Sequence, residues 1–168
     1  LRSIGAHDPQ DRFSIFIPYT AGGTPIYVHA KLTIIDDDIV RVGSANMNNR
    51  SLGLDSECDV FIDATLEGNA TAKEQITALR LSLLAEHCGV SVEDMASRLE
   101  KHGSMRAAIE STRGNGRNLI RLDLPELTDA ERAIAENQAL DPESAEEMFE
   151  PFASKSLFKR SRILNAPD

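Results

Sequence analysis

The chain has no tryptophan, only two cysteines, and just six Phe and two Tyr among its 168 residues. Two cysteines make neither a disulfide framework nor a zinc-type spacing, so Cys58 and Cys88 are expected to be small buried hydrophobes. Long hydrophobic runs are also missing. Nothing approaches the roughly 20 apolar residues that cross a bilayer, and no basic stretch followed by an apolar one opens the chain. The chain starts at Leu1 rather than Met, so it reads as a piece of something longer, whose missing part would carry any targeting signal. A cytoplasmic or peripheral membrane location is the expectation. Positive charge is scarce as well. Residues 1–64 hold five Lys and Arg against nine Asp and Glu, and the remainder 13 against 18, which gives the net −9. Without a basic stripe, no nucleic-acid partner is expected. A local positive pocket can still hold one phosphate. No amphipathic basic helix is evident, so membrane contact is expected to be peripheral at most.

What is present fits one α/β domain with room for a core. Phe13–Pro18 (FSIFIP) reads as a strand, residues 21–25 (AGGTP) as a turn, and residues 26–35 as a second strand. Asp36-Asp37-Asp38 is a turn, residues 39–42 a third strand and residues 58–62 a fourth, with Cys58, Val60 and Ile62 on one side. From Glu67 the period becomes helical. Ala72, Ile76, Leu79 and Leu83 form a stripe that ends at Gly89, a C-terminal cap. Ser91 opens a second helix with Val92, Met95 and Leu99 as its stripe, and Gly103 ends it. A short third helix spans residues 104–111, and residues 113–118 (RGNGRN) form a loop. Thr128–Glu131 and Ser144–Glu147 are further capping boxes. The division is a domain over residues 1–121 and a helical or irregular extension over 122–168. Repeats and low-complexity segments are absent.

The informative stretch is IYVHAKLTIIDDDIVRVGSANMNNRS, residues 26–51. Residues two apart on a strand share a face. His29, Lys31 and Thr33 then lie on one side, about 7 Å per pair along the strand. Val28, Ala30, Leu32 and Ile34 lie on the other and are expected to face the core. After the Asp turn the third strand runs back, Gly43 lets backbones approach, and Ser44 and Asn46 share a face. The expected assembly is an imidazole, an ammonium, a hydroxyl and an amide in one cleft. Such a set suits an anionic phosphate, with Lys31 and Asn46 donating to its oxygens and His29 acting on phosphorus. Glu57 in LDSE is a candidate to return to the site, where a carboxylate fixes an imidazole tautomer. A lone His in a strand is more often structural, a lone Lys snorkels, and DDD is usually a solvated turn. The joint pattern outweighs those readings: HxKxxxxD alone arises by chance in about one chain in a hundred of this length.

His29, Lys31 and Asp36 match the HxKxxxxD (HKD) signature of the phospholipase D superfamily, and Gly43, Ser44 and Asn46 the GSxN that follows it. The stretch resembles the second HKD half of the two-repeat phospholipases D, bacterial and eukaryotic. LRLSLLAEHCG, residues 79–89, is similar to the helix that follows there, and DPE, 141–143, to a later short motif. The resemblance covers about residues 1–145. It implies half of an α-β-α sandwich, a mixed sheet with flanking helices, plus a helical C-terminal extension. It implies phosphodiester hydrolysis or phosphatidyl transfer through a phosphohistidine, with no metal and no cofactor. His29 would be the acid/base histidine and its counterpart in the first half the nucleophile. Lys31 and Asn46 would bind phosphate oxygens beside Ser44, and Glu57 would orient His29. Asp36 looks structural despite its place in the signature, and Arg50, Ser51 and Asp55 look like loop scaffolding. Only one HKD is present, since His7, His87 and His102 begin no other. The implied partners are a phospholipid substrate and either a missing N-terminal HKD half or a second copy of this chain. A homodimeric one-motif phosphodiesterase or nuclease, and a non-catalytic assembly module, are the rival readings.

Overall fold

The computed structural model describes residues 7–114, 116–123 and 128–131. Its elements run β1 (Phe16–Tyr19), β2 (Lys31–Ile35), β3 (Ile39–Gly43), a single π turn (Arg50–Leu54), β4 (Asp59–Asp63), α1 (Ala72–Cys88), α2 (Val92–His102), α3 (Met105–Glu110) and β5 (Asn118–Arg121). The chain is α/β, but the strands among its described residues form two small sheets, β1-β5 and β2-β3-β4, where one mixed sheet was expected. Two compact units cluster separately: Leu1–Val42 with Phe61–Leu124, and Gly43–Val60 with Pro125–Asp168.

The first unit is organised by α1. Gly89 closes this helix in the left-handed region, at φ 67°. A side chain there would also meet the Arg117 carbonyl at 2.6 Å, so both backbone conformation and space require glycine. Near its start, Ile76 packs on Val40 and Ala64, with Ile34 and Ala72 at the margin. Near its end, Ala85 and Cys88 join Met95, Ile109 and Leu119 in the larger core cluster. Met95 is fully buried, which is worth about 1.5–3 kcal/mol. Ser91 caps α2 by accepting from the Asp94 N–H at 3.1 Å, and Gly103 ends it at φ 62°. Arg98 of α2 donates to the Ser111 carbonyl and hydroxyl, which fastens α3. β5 pairs antiparallel with β1, with Phe16 opposite Arg121 and Pro18 opposite Leu119. Phe16 and Leu119 both touch the larger cluster, so that side of the pair faces the core.

Several expectations shift. The second strand begins at Lys31, not residue 26, and Val28 and Ala30 are exposed rather than core-facing. Residues 26–30 sit outside any sheet ladder, and Tyr27 and Val28 are left exposed. Cys58 is exposed, just ahead of β4, while Cys88 is buried as expected, and burial pushes its thiol pKa up. The expected loop at residues 113–118 is one residue shorter, since Asn118 starts β5. The Thr128–Glu131 capping box is formed: Thr128 Oγ1 accepts from the Glu131 N–H at 3.3 Å, and Glu131 Oε2 accepts from the Thr128 N–H at 2.9 Å. The Ser144–Glu147 capping box and the DPE motif lie outside the described residues.

Candidate active site

His29 lies two residues before β2 on exposed backbone. Its ring stacks on Tyr27, centroids 5.8 Å apart. Lys31 Nζ reaches back to the His29 carbonyl at 2.9 Å and lies 2.9 Å from His29 Nε2. An ammonium only donates, so this contact is a hydrogen bond in the tautomer that keeps the ring hydrogen on Nδ1 and leaves Nε2 to accept. The two side chains expected to share a face therefore touch, because the chain here is not held in a ladder and Lys31 can curl back.

Asp36 stands apart from this pair, at the far end of β2. The Asp38 N–H donates to the Ile35 carbonyl at 2.9 Å across a turn whose central residues, Asp36 and Asp37, have φ 51° and 58°. Both positive values mark a type I′ hairpin turn, and Asp tolerates that region better than most residues. Asp36 is thus a turn residue, as its reading as structural anticipated. Its neighbours carry the ion pairs. Arg80 grips Asp37 with two hydrogen bonds, 2.5 and 2.7 Å, and Lys73 reaches Asp38 at 2.6 Å. The Arg80 guanidinium holds the Asp37 carboxyl below its usual pKa, and Asp38 raises that of Lys73.

In the second unit, Ser44 and Glu57 come together. The Ser44 hydroxyl donates to Glu57 Oε2 at 2.5 Å and accepts from the Cys58 N–H at 3.0 Å. The Ser44 N–H donates to the Cys58 carbonyl at 3.1 Å. Gly43 makes this approach feasible: a Cβ there would overlap the Asp59 carboxylate and lie 2.7 Å from its Cα. Ala45 is buried, while Ser44 and Asn46 are exposed on either side of it. Asn48 accepts from the Ser51 N–H at 2.9 Å at the head of the π turn, and Arg50 bonds Asp55 at 2.9 Å across it. Those contacts fit the scaffolding reading of Arg50, Ser51 and Asp55. The Ser44–Glu57 bond was not foreseen, because 13 residues and a turn separate the two. Among the described residues, no group of three or more His, Cys, Asp or Glu could hold a metal ion. Nor is any described helix long and apolar enough to cross a membrane.

The family description "Phospholipase D" matches residues 19–113, which include all of these side chains. The chain belongs to the phospholipase D family. Phospholipase D alpha 4 of Arabidopsis thaliana is 38% identical over 74 residues, 43% of this chain and 10% of that protein. Phospholipase D alpha 2 of Oryza sativa subsp. japonica is 43% identical over 70 residues, 39% of this chain and 9% of that protein. Phospholipase D zeta 1 of Arabidopsis thaliana is 42% identical over 74 residues, 39% of this chain and 7% of that protein. The chain thus aligns with about a tenth of the length of these phospholipases D. No solved structure matches it.

Proposed function

We propose that this chain supplies the second histidine–lysine motif of a phospholipase D-type phosphodiesterase, which hydrolyses or transfers the phosphatidyl group of phospholipids. The observation that carries the reading is the His29–Lys31 pair inside HxKxxxxD, with Nζ 2.9 Å from Nε2. An arriving phosphodiester offers oxygens to the ammonium. Lys31 transfers its hydrogen bonds to them, neutralises their charge, and releases Nε2 for proton transfer. The nucleophile is a second histidine, from a first HKD half or from another copy of this chain. Once Lys31 has left Nε2, His29 takes up a proton there from water; the nucleophile's nitrogen bonds to phosphorus as the bond to the head-group alcohol breaks, and His29 gives that alcohol the proton. His29 then takes a proton from water or an acceptor alcohol, which cleaves the phosphohistidine. Asn46 donates to a phosphate oxygen beside Ser44. Glu57, held by Ser44, keeps the role that the resemblance gives it. Membrane contact is peripheral.

The matches to plant phospholipases D favour this reading over a one-motif phosphodiesterase or an assembly module. The test is the solution mass of the 168-residue chain, paired with assays on phosphatidylcholine and on bis(p-nitrophenyl) phosphate. The expected result is an inactive chain that gains phosphatidylcholine hydrolysis when joined to a first HKD half. An active dimer on the generic diester alone would replace the lipid reading with the one-motif one. No activity in either arrangement would leave the assembly module.

A further inference from the structure

Within the second unit, the hydroxyl of Ser44 is already in use. A serine hydroxyl has one hydrogen to give and two lone pairs to offer. The hydrogen goes to Glu57 Oε2 at 2.5 Å, and one lone pair takes the Cys58 N–H at 3.0 Å. The backbone closes the same contact. The Ser44 N–H donates to the Cys58 carbonyl at 3.1 Å, and the Ala45 nitrogen lies 3.4 Å from Asp59 Oδ1. Ser44 is thus fixed through main chain and side chain alike, with its only hydrogen aimed at one oxygen of a carboxylate 13 residues away.

To serve a phosphate, Ser44 would have to withdraw that hydrogen from an ionised acceptor, the stronger kind of hydrogen bond. A phosphate oxygen accepting from Ser44 would also stand within about 5 Å of Glu57 Oε2, the sum of two hydrogen-bond lengths. Two anions that close repel. Lys31 and Asn46 carry no such penalty. The ammonium has three hydrogens and its partners at His29 are neutral groups, while the Asn46 amide has two hydrogens to give. The phosphate is left to those two side chains. Holding Oε2, in turn, fixes the plane of the Glu57 carboxylate and leaves Oε1 to accept from an imidazole N–H.

We propose, resting on the role given above to Glu57, that Ser44 is a positioning residue: it aims the Glu57 carboxylate and donates nothing to the phosphate. The test is steady-state kinetics of the complete enzyme on phosphatidylcholine, with inhibition by inorganic phosphate as a separate measure of phosphate affinity. Ser44→Ala should lower kcat about tenfold, the scale of one charge-assisted hydrogen bond, and leave KM and the phosphate inhibition constant unchanged. Ser44→Thr keeps the hydroxyl and should recover most of kcat. Ser44 is exposed, so both variants should melt with the wild type. The double variant of Ser44→Ala and Glu57→Gln should be no slower than Glu57→Gln alone, because Ser44 acts through Glu57. Lys31→Ala should weaken phosphate inhibition, which shows that the inhibition reads the phosphate site. A raised KM and weaker phosphate inhibition in Ser44→Ala, with kcat retained, would make Ser44 a phosphate ligand and overturn the proposal. Losses that multiply in the double variant, or a wild-type kcat in Ser44→Ala, would overturn it as well. Wild-type kcat in Glu57→Gln alone is the separate failure: it removes the role of Glu57 itself, and that of Ser44 with it, without any Ser44 variant.

Discussion

The two ends of the β2–β3 hairpin are built to opposite rules. At the turn end, Ile34 and Val40 pack under Ile76 of α1, and Arg80 and Lys73 of the same helix hold Asp37 and Asp38. At the other end, His29 is exposed, Leu32 and Val42 are a third to a half exposed, and Lys31 bonds only back to His29 among the described residues. Rigidity is concentrated where no chemistry is expected. The residues that would meet substrate stand where few contacts constrain them, so they can reorganise when a phosphate arrives. The signature spans both ends: its His and Lys belong to the open one and its Asp to the clamped one.

That contrast makes graded predictions. The largest effect should come from the open end. In the complete enzyme, His29→Ala should lower phosphodiester turnover by about 10³-fold or more, the scale of general acid–base catalysis. It should leave the melting temperature unchanged, because His29 is exposed. Turnover near the wild-type rate would remove His29 from the chemistry.

The clamped end should respond the other way. Arg80→Ala should reduce unfolding free energy by about 1 kcal/mol in urea denaturation, since partial exposure screens the pair. Its influence on turnover should be small by comparison. A pH series sharpens the same point. The Asp37 carboxyl has a lowered pKa in the folded chain, so its contribution is present above the unfolded value near 4 and is lost as pH falls through the folded value. Between pH 5 and 2 the wild type should therefore lose more stability than Asp37→Asn, and parallel curves would show that the pair is not a clamp. Lys73 is exposed. Lys73→Ala should give the smallest effect, a urea midpoint indistinguishable from wild type.

Local chemistry made the helices legible. Ser91 and Ser104 cap α2 and α3, and Gly89 and Gly103 stop α1 and α2, because these signals act within one turn of chain. The turn at Asp36–Asp38 was equally visible. The strands were less so. β5 is short, and it exists because Leu119 reaches the cluster around Met95 while its backbone pairs with β1, about a hundred residues earlier. No local pattern marks such a pairing. The apolar alternation that continues from β2 back to Val28 was misleading, because alternation reports a face and not whether anything covers it. Cys58 failed for the same reason.

Of the candidate site, the sequence by itself determined the chemical inventory: an imidazole, an ammonium, a hydroxyl, an amide and a carboxylate at fixed spacing, with Gly43 where backbones meet. It also set Asp36 in a turn, since residue type and position along the chain settle such matters. Only the tertiary structure decided who bonds to whom. Lys31 turns back onto His29 Nε2, Ser44 takes Glu57, and the ion pair at the hairpin belongs to Asp37 and Arg80 rather than to Asp36. Which partner a side chain finds depends on distances of a few tenths of an ångström, and those are fixed by the three-dimensional course of the chain rather than by order along it.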